Sequence, residues 1–129
     1  MREIKFKYYF KQSDKGAITT KKLTLNEIEK CELAATCIEL GKRNKTLFAK
    51  AQYTELKDKN GVEIYEGDII KEYFGAEGKV EFIYGCFVVD LLDEKPRELS
   101  SLIMADFGNK VEVIGNIYEN PELLKDEKR

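Results

Sequence analysis

Histidine is absent from this chain, and so is tryptophan. Without an imidazole there is no Ser-His-Asp or Cys-His nucleophile system. Zinc and iron sites that need histidine nitrogen are excluded as well. So is the side chain most often used as general acid or base near neutral pH. Carboxylates, lysines and thiols are what remain. The expectation is a protein that is not an enzyme, with no catalytic residue, no cofactor and no metal site. Cysteine is sparse and unpatterned: Cys31, Cys37 and Cys86 form no C-x-x-C. An odd count of that kind points to free thiols packed as small apolar residues in a reducing compartment. On one shared helix Cys31 and Cys37 would stand roughly 240° apart and could not pair. Long apolar runs are missing too, and none approaches the ~20 residues of a spanning helix. The opening Met1-Arg2-Glu3-Ile4-Lys5 has no apolar signal-peptide core. A cytoplasmic location is expected.

What is present is a globular composition, 43% apolar and 36% charged over 129 residues. That length suits a single domain with a core of its own. We place it at residues 1–121, with a strand hairpin plus helix over 1–50 and a barrel-like β core over 51–121. A charged tail, 122–129, is expected to fray. The net charge of −2 hides a division along the chain. Residues 1–50 carry 12 basic and 6 acidic side chains, and residues 51–129 carry 10 basic and 18 acidic. A basic front and an acidic back suit association between unlike faces, or folding that interleaves the two.

The first strand alternates, with Ile4, Phe6 and Tyr8 on one face and Lys5 and Lys7 on the other. A turn at Ser13-Asp14-Lys15-Gly16 leads to a second strand over Ala17–Leu23. Thr24 and Glu27 fit a capping box. Apolar Ile28, Cys31, Ala35 and Ile38 then recur at +3, +4, +3, and Gly41 offers a C-cap, which predicts one amphipathic helix over Leu25–Leu40. It could pack on its own sheet or on a neighbouring subunit.

Beyond the helix the period is that of strands. Asn60 and Gly61 form a tight turn, Gly67 and Asp68 a second, and Gly75, Gly78 and Gly85 mark further corners. Cys86–Leu92 reads as a central strand, Glu98–Met104 as a weaker one and Lys110–Ile114 as the last. The predicted fold class is α+β, mainly β: a small antiparallel, barrel-like (SH3-like) sheet with one amphipathic helix in the N-terminal third.

Few constellations carry chemistry. Glu66-Gly67-Asp68 with Asp58 is too thin an oxygen set for calcium or magnesium, so Asp68 is expected to bond amides of its own turn. Asp90, Asp93 and Glu94 read as surface carboxylates. Strand aromatics from Tyr8 to Phe87 fit a core or an interface. Beside lysines they could also stack nucleic-acid bases, with Lys42, Arg43 and Lys45 as the contacts.

Several stretches together resemble the YopX family of phage and prophage proteins. They are Met1–Phe6, Tyr53-Thr54 with Leu56–Gly61, Glu63–Ile69, and Val113–Pro121. Two departures stand out: Glu55, where the family carries glycine after Tyr-Thr, and Lys7-Tyr8-Tyr9 in place of basic-Ala-Trp. The resemblance implies a phage- or prophage-encoded accessory protein acting in the bacterial cytoplasm, and a homo-oligomer. It supplies no biochemical activity and no catalytic residues. The function expected is a protein-interaction or assembly module, partnered by itself and by phage or host proteins. The alternative is a small-barrel nucleic-acid binder.

Overall fold

The computed structural model describes residues 3–13, 16–72, 74–91, 96–104 and 109–123. Strands dominate, in two antiparallel sheets with few helices. The chain divides into two compact units, residues 1–53 and 54–129.

In the first unit, β1 (Lys5–Gln12) and β2 (Ile18–Thr24) form a hairpin in which Phe6 lies opposite Leu23 and Phe10 opposite Thr19. Gln12 N–H donates to Ala17 O at 2.8 Å and Gly16 N–H to Gln12 O at 3.0 Å, which closes it. Asp14 and Lys15 lie outside the described residues. β3 (Lys45–Lys57) pairs with the other edge of β1, with a register shift at Tyr9/Phe10. Phe6, Tyr8 and Phe10 share one face of β1, as alternation requires.

Two helices cover that face where one was expected. They are α1 (Leu25–Glu29) and α2 (Glu32–Gly41), separated at Lys30-Cys31, where Cys31 takes a left-handed φ of 65°. The break re-phases the helix. The residues packed on Tyr8, Phe10 and Leu23 are Ile28, Leu33, Cys37 and Leu40. Ala35 and Ile38 of the expected stripe are exposed. In an unbroken helix Ile28 and Leu33 would point about 140° apart; the left-handed residue lets both reach the sheet. Both helices therefore lie on their own chain. Thr24 and Glu27 do form the capping box, with Glu27 N–H to Thr24 Oγ1 at 3.2 Å and Thr24 N–H to Glu27 Oε1 at 2.8 Å. Gly41 does not cap α2 in the left-handed region. It stays helical, and Asn44, three residues on, takes the positive φ of 62°.

β3 runs on past Tyr53 into the second unit, where its end lies beside β4 (Glu63–Tyr65) and Thr54 Oγ1 donates to Ile64 O at 2.7 Å. The remaining strands are β5 (Asp68–Lys71), β6 (Glu77–Ile83), β7 (Cys86–Leu91), β8 (Arg97–Glu98) and β9 (Glu112–Asn116). Their order is β8-β7-β6-β5-β9. No strand pair that would close this sheet into a barrel is found among the described residues. The expected strand over Glu98–Met104 is instead a helix, α3 (Leu99–Ile103), after a two-residue β8. Leu99, Leu102 and Ile103 stand at i, i+3 and i+4, which is helix spacing, and all three join the core. That core gathers Ile64, Ile70, Val80, Val89, Leu91, Leu99, Leu102 and Val111. At roughly 1.5–3 kcal/mol per fully buried aliphatic side chain, it is the main driving force for this unit.

Candidate functional site

The stretches that carry the resemblance are the places where side chains hold turns. Asp58 is buried, and its carboxylate collects three backbone N–H groups. Oδ1 accepts from Asn60 at 2.8 Å and Val62 at 2.9 Å, and Oδ2 accepts from Val113 of β9 at 2.9 Å. Gly61 completes this turn with a φ of 82°. Asp68 is buried as well, and its Oδ2 accepts from Tyr65 N–H at 2.8 Å. Gly67 before it has a φ of 89°, donates to Val80 O and accepts from Ile117 N–H. A Cβ there would stand 3.1 Å from the Tyr118 ring. Burial and the nearby Glu66 push the Tyr118 hydroxyl pKa up.

The last motif closes on itself. Asn116 Oδ1 accepts from the N–H groups of Tyr118 and Glu119 at 3.0 and 2.8 Å, and Asn120 Oδ1 accepts from Asn116 N–H at 3.2 Å. Gly115 permits this approach, since a Cβ would fall 2.7 Å from Asn120 Oδ1. The buried carboxylates thus satisfy backbone donors, as buried polar groups must. No group of three His, Cys, Asp or Glu side chains suited to a metal ion is found among the described residues.

Lys42, Arg43 and Lys45 have different surroundings. Lys42 is exposed at the end of α2. Arg43 Nη2 pairs with Glu39 Oε1 one turn back at 3.2 Å. Lys45 Nζ donates to Thr19 Oγ1 at 2.8 Å. Tyr8, Tyr9 and Phe10 are buried, so their rings are not available to stack on bases. Burial, with Cys37 nearby, raises the Tyr8 pKa. Lysines sit over rings of their own sheet: Lys5 Nζ lies 4.9 Å from the Tyr53 centroid and Lys7 Nζ 5.7 Å from that of Tyr9. Asp90 is half-buried opposite Lys79, and Asp93 and Glu94 lie outside the described residues. All three cysteines are free thiols.

The β6–β7 hairpin ends in a different kind of surface. Ile83 pairs with Cys86, and Tyr84-Gly85 make a two-residue turn with φ values of 50° and 83°. Such a turn favours Asn-Gly, because both central residues need positive φ. A tyrosine held there costs about 1–2 kcal/mol. Its side chain is fully exposed. Phe82 and Phe87 lie opposite each other on the face that buries Val80 and Val89, with ring centroids 4.9 Å apart at 62°. The apolar face continues beyond the core, and Phe82 is 51% exposed. In the sequence Tyr84-Gly85 registers only as a turn. The available signal was an aromatic at a glycine-favouring position, flanked by Phe82 and Phe87.

A comparison with curated proteins finds no match. Among solved structures, the chain is similar to the crystal structure of protein EF1440 from Enterococcus faecalis. Identity is 30%, coverage is 92% of this chain and 75% of that chain, and the TM-score is 0.47. The family described as YopX protein matches over residues 5–125, nearly the whole length. With its motifs accounted for as turn anchors and the family match spanning both units, this chain belongs to the YopX family.

Proposed function

We propose that this chain is a phage- or prophage-encoded accessory protein that works by protein–protein contact in the bacterial cytoplasm, not by catalysis, and that it assembles with copies of itself. The observation that carries the proposal is the β6–β7 hairpin end. Tyr84 is held in a strained conformation at full exposure, and Phe82 extends the apolar face past the core. A tyrosine at a position that asparagine or glycine would hold with less strain points to use of the side chain. Exposed aromatics are the residues most often found at the centre of interfaces. The charge division along the chain supports association between unlike segments. No helix among the described residues is long and apolar enough to cross a membrane. The SH3-like, barrel-like description belongs to this proposal too, supported by the strand order and the register shift in β5–β9 that curves such a sheet.

Sedimentation equilibrium of wild type against a Phe82→Ser/Tyr84→Asn variant tests the reading. The variant is expected to retain its folded spectrum and to lose the multimer. A variant with the wild-type association constant would remove the hairpin from the account. Nucleic-acid binding through Lys42, Arg43 and Lys45 is the second reading. It draws on exposed Lys42 and requires Arg43 to leave Glu39.

A further inference from the structure

A pocket lies in the acidic half of the chain, away from the residues used above. Lys59, Lys71 and Lys110 line one pocket of about 330 Å³ together with Glu72, Gly75 and Glu112. Three parts of the second unit deliver the lysines. Lys59 sits in the turn held by Asp58, and its N–H donates to Val111 O at 2.8 Å. Lys71 ends β5, directly opposite Glu112 of β9. Lys110 stands two residues before Glu112, and both line the pocket.

Three lysines face two carboxylates in the lining, which leaves an excess of one positive charge. Among the described residues Glu112 makes one ion pair, to Lys59 Nζ at 3.6 Å. Lys71 and Lys110 have no ion pair among the described residues, although Glu77 also lies across from Lys71. The buried Glu72 turns Oε1 to Ala76 N–H at 2.9 Å, inside its own turn. Residues 51–129 hold 18 acidic against 10 basic side chains. A fold with carboxylates to spare has nevertheless lined one concavity with three lysines. Like charges gathered in this way repel each other and are stabilised by an anion between them. Lysine binds phosphate as a point charge on a flexible stem. The volume falls at the small end of ligand pockets.

We infer that this pocket binds a small phosphate-bearing molecule, with Lys71 and Lys110 holding the oxyanion and Lys59 shared between it and Glu112. The inference does not depend on self-assembly through the hairpin.

The test is a titration of the full ¹⁵N-labelled chain with inorganic phosphate and pyrophosphate, against sodium chloride at matched ionic strength to remove screening. Saturable shifts are expected at the amides of Lys71, Gly75, Lys110 and Glu112, stronger with pyrophosphate. Lys71→Gln and Lys110→Gln should each weaken binding about threefold to tenfold. Lys30→Gln, at an exposed position of the other unit, should leave it unchanged. Unchanged spectra well above millimolar phosphate, or equal affinity in the lysine variants, would overturn the inference. Binding of a single-stranded oligonucleotide with no response to either phosphate would overturn the assignment to a small ligand.

Discussion

At the scale of single residues, Asp58 gives the sharpest expectation. Its two carboxylate oxygens hold three backbone donors, one of them on β9. Asp58→Ala strands those donors in a buried turn and is expected to cost about 2–4 kcal/mol, with Asp58→Asn milder because one acceptor remains. Urea unfolding should show a lower midpoint at unchanged slope; a loss below about 1 kcal/mol would contradict the role. Glu55 is the mirror case. It holds a φ of 71° at the position where the resemblance carries glycine. Glu55→Gly is therefore expected to raise stability by about 0.5–1 kcal/mol, because the left-handed penalty disappears while some chain entropy is given back. A fall in urea midpoint would sink that reading. Both residues stand out in the sequence, Asp58 within Asp-Lys-Asn-Gly and Glu55 as a departure. The partner of Asp58 at Val113 does not, because it lies 55 residues along the chain and is brought near by folding.

At the scale of elements, strands and tight turns are legible because alternation and Asn-Gly chemistry are local. Helix phasing was not. The spacing of Ile28, Cys31, Ala35 and Ile38 is a valid stripe for one helix, yet packing on Tyr8, Phe10 and Leu23 selects Leu33, Cys37 and Leu40 through a break at Cys31. Tertiary contact overrode local periodicity. Leu99, Leu102 and Ile103 had helix spacing in the sequence, but the stretch is short enough to read either way. The capping box that starts α1 brings a pH expectation. Hydrogen bonds from the Thr24 backbone and side chain hold the Glu27 carboxyl below its ordinary pKa. A depressed folded pKa means the contribution is present above the unfolded value and is lost as pH falls through the folded one. Followed by NMR, the Thr24 amide should titrate at a lower pH than a free glutamate would. A midpoint at or above that ordinary value would contradict the box. In the β6–β7 hairpin, Tyr84→Asn should stabilise the fold by about 0.5–1 kcal/mol, since asparagine tolerates the turn geometry better. At a concentration where the wild type is monomeric, a drop in thermal midpoint would mean that the Tyr84 side chain supports the fold itself.

At the scale of the whole molecule, the absence of histidine narrowed the chemistry, and the family match covers residues 5–125. The basic trio at Lys42, Arg43 and Lys45 was visible in the sequence as a run of charge. Its dispersal onto Glu39 and Thr19 was not, because those partners are set by the helix face and by a cross-sheet contact. The lysine pocket was hidden for the converse reason: its three residues are spread over 51 positions of a segment that is acidic in sum. The aromatic hairpin end and the division of charge along the chain lead to one central claim, that this protein associates with itself. Molar mass by light scattering across a size-exclusion peak, with absorbance recorded at 260 and 280 nm, tests that claim most directly. A stable multimer with a protein-like absorbance ratio is expected; a monodisperse monomer at high concentration and low salt would rule out self-association.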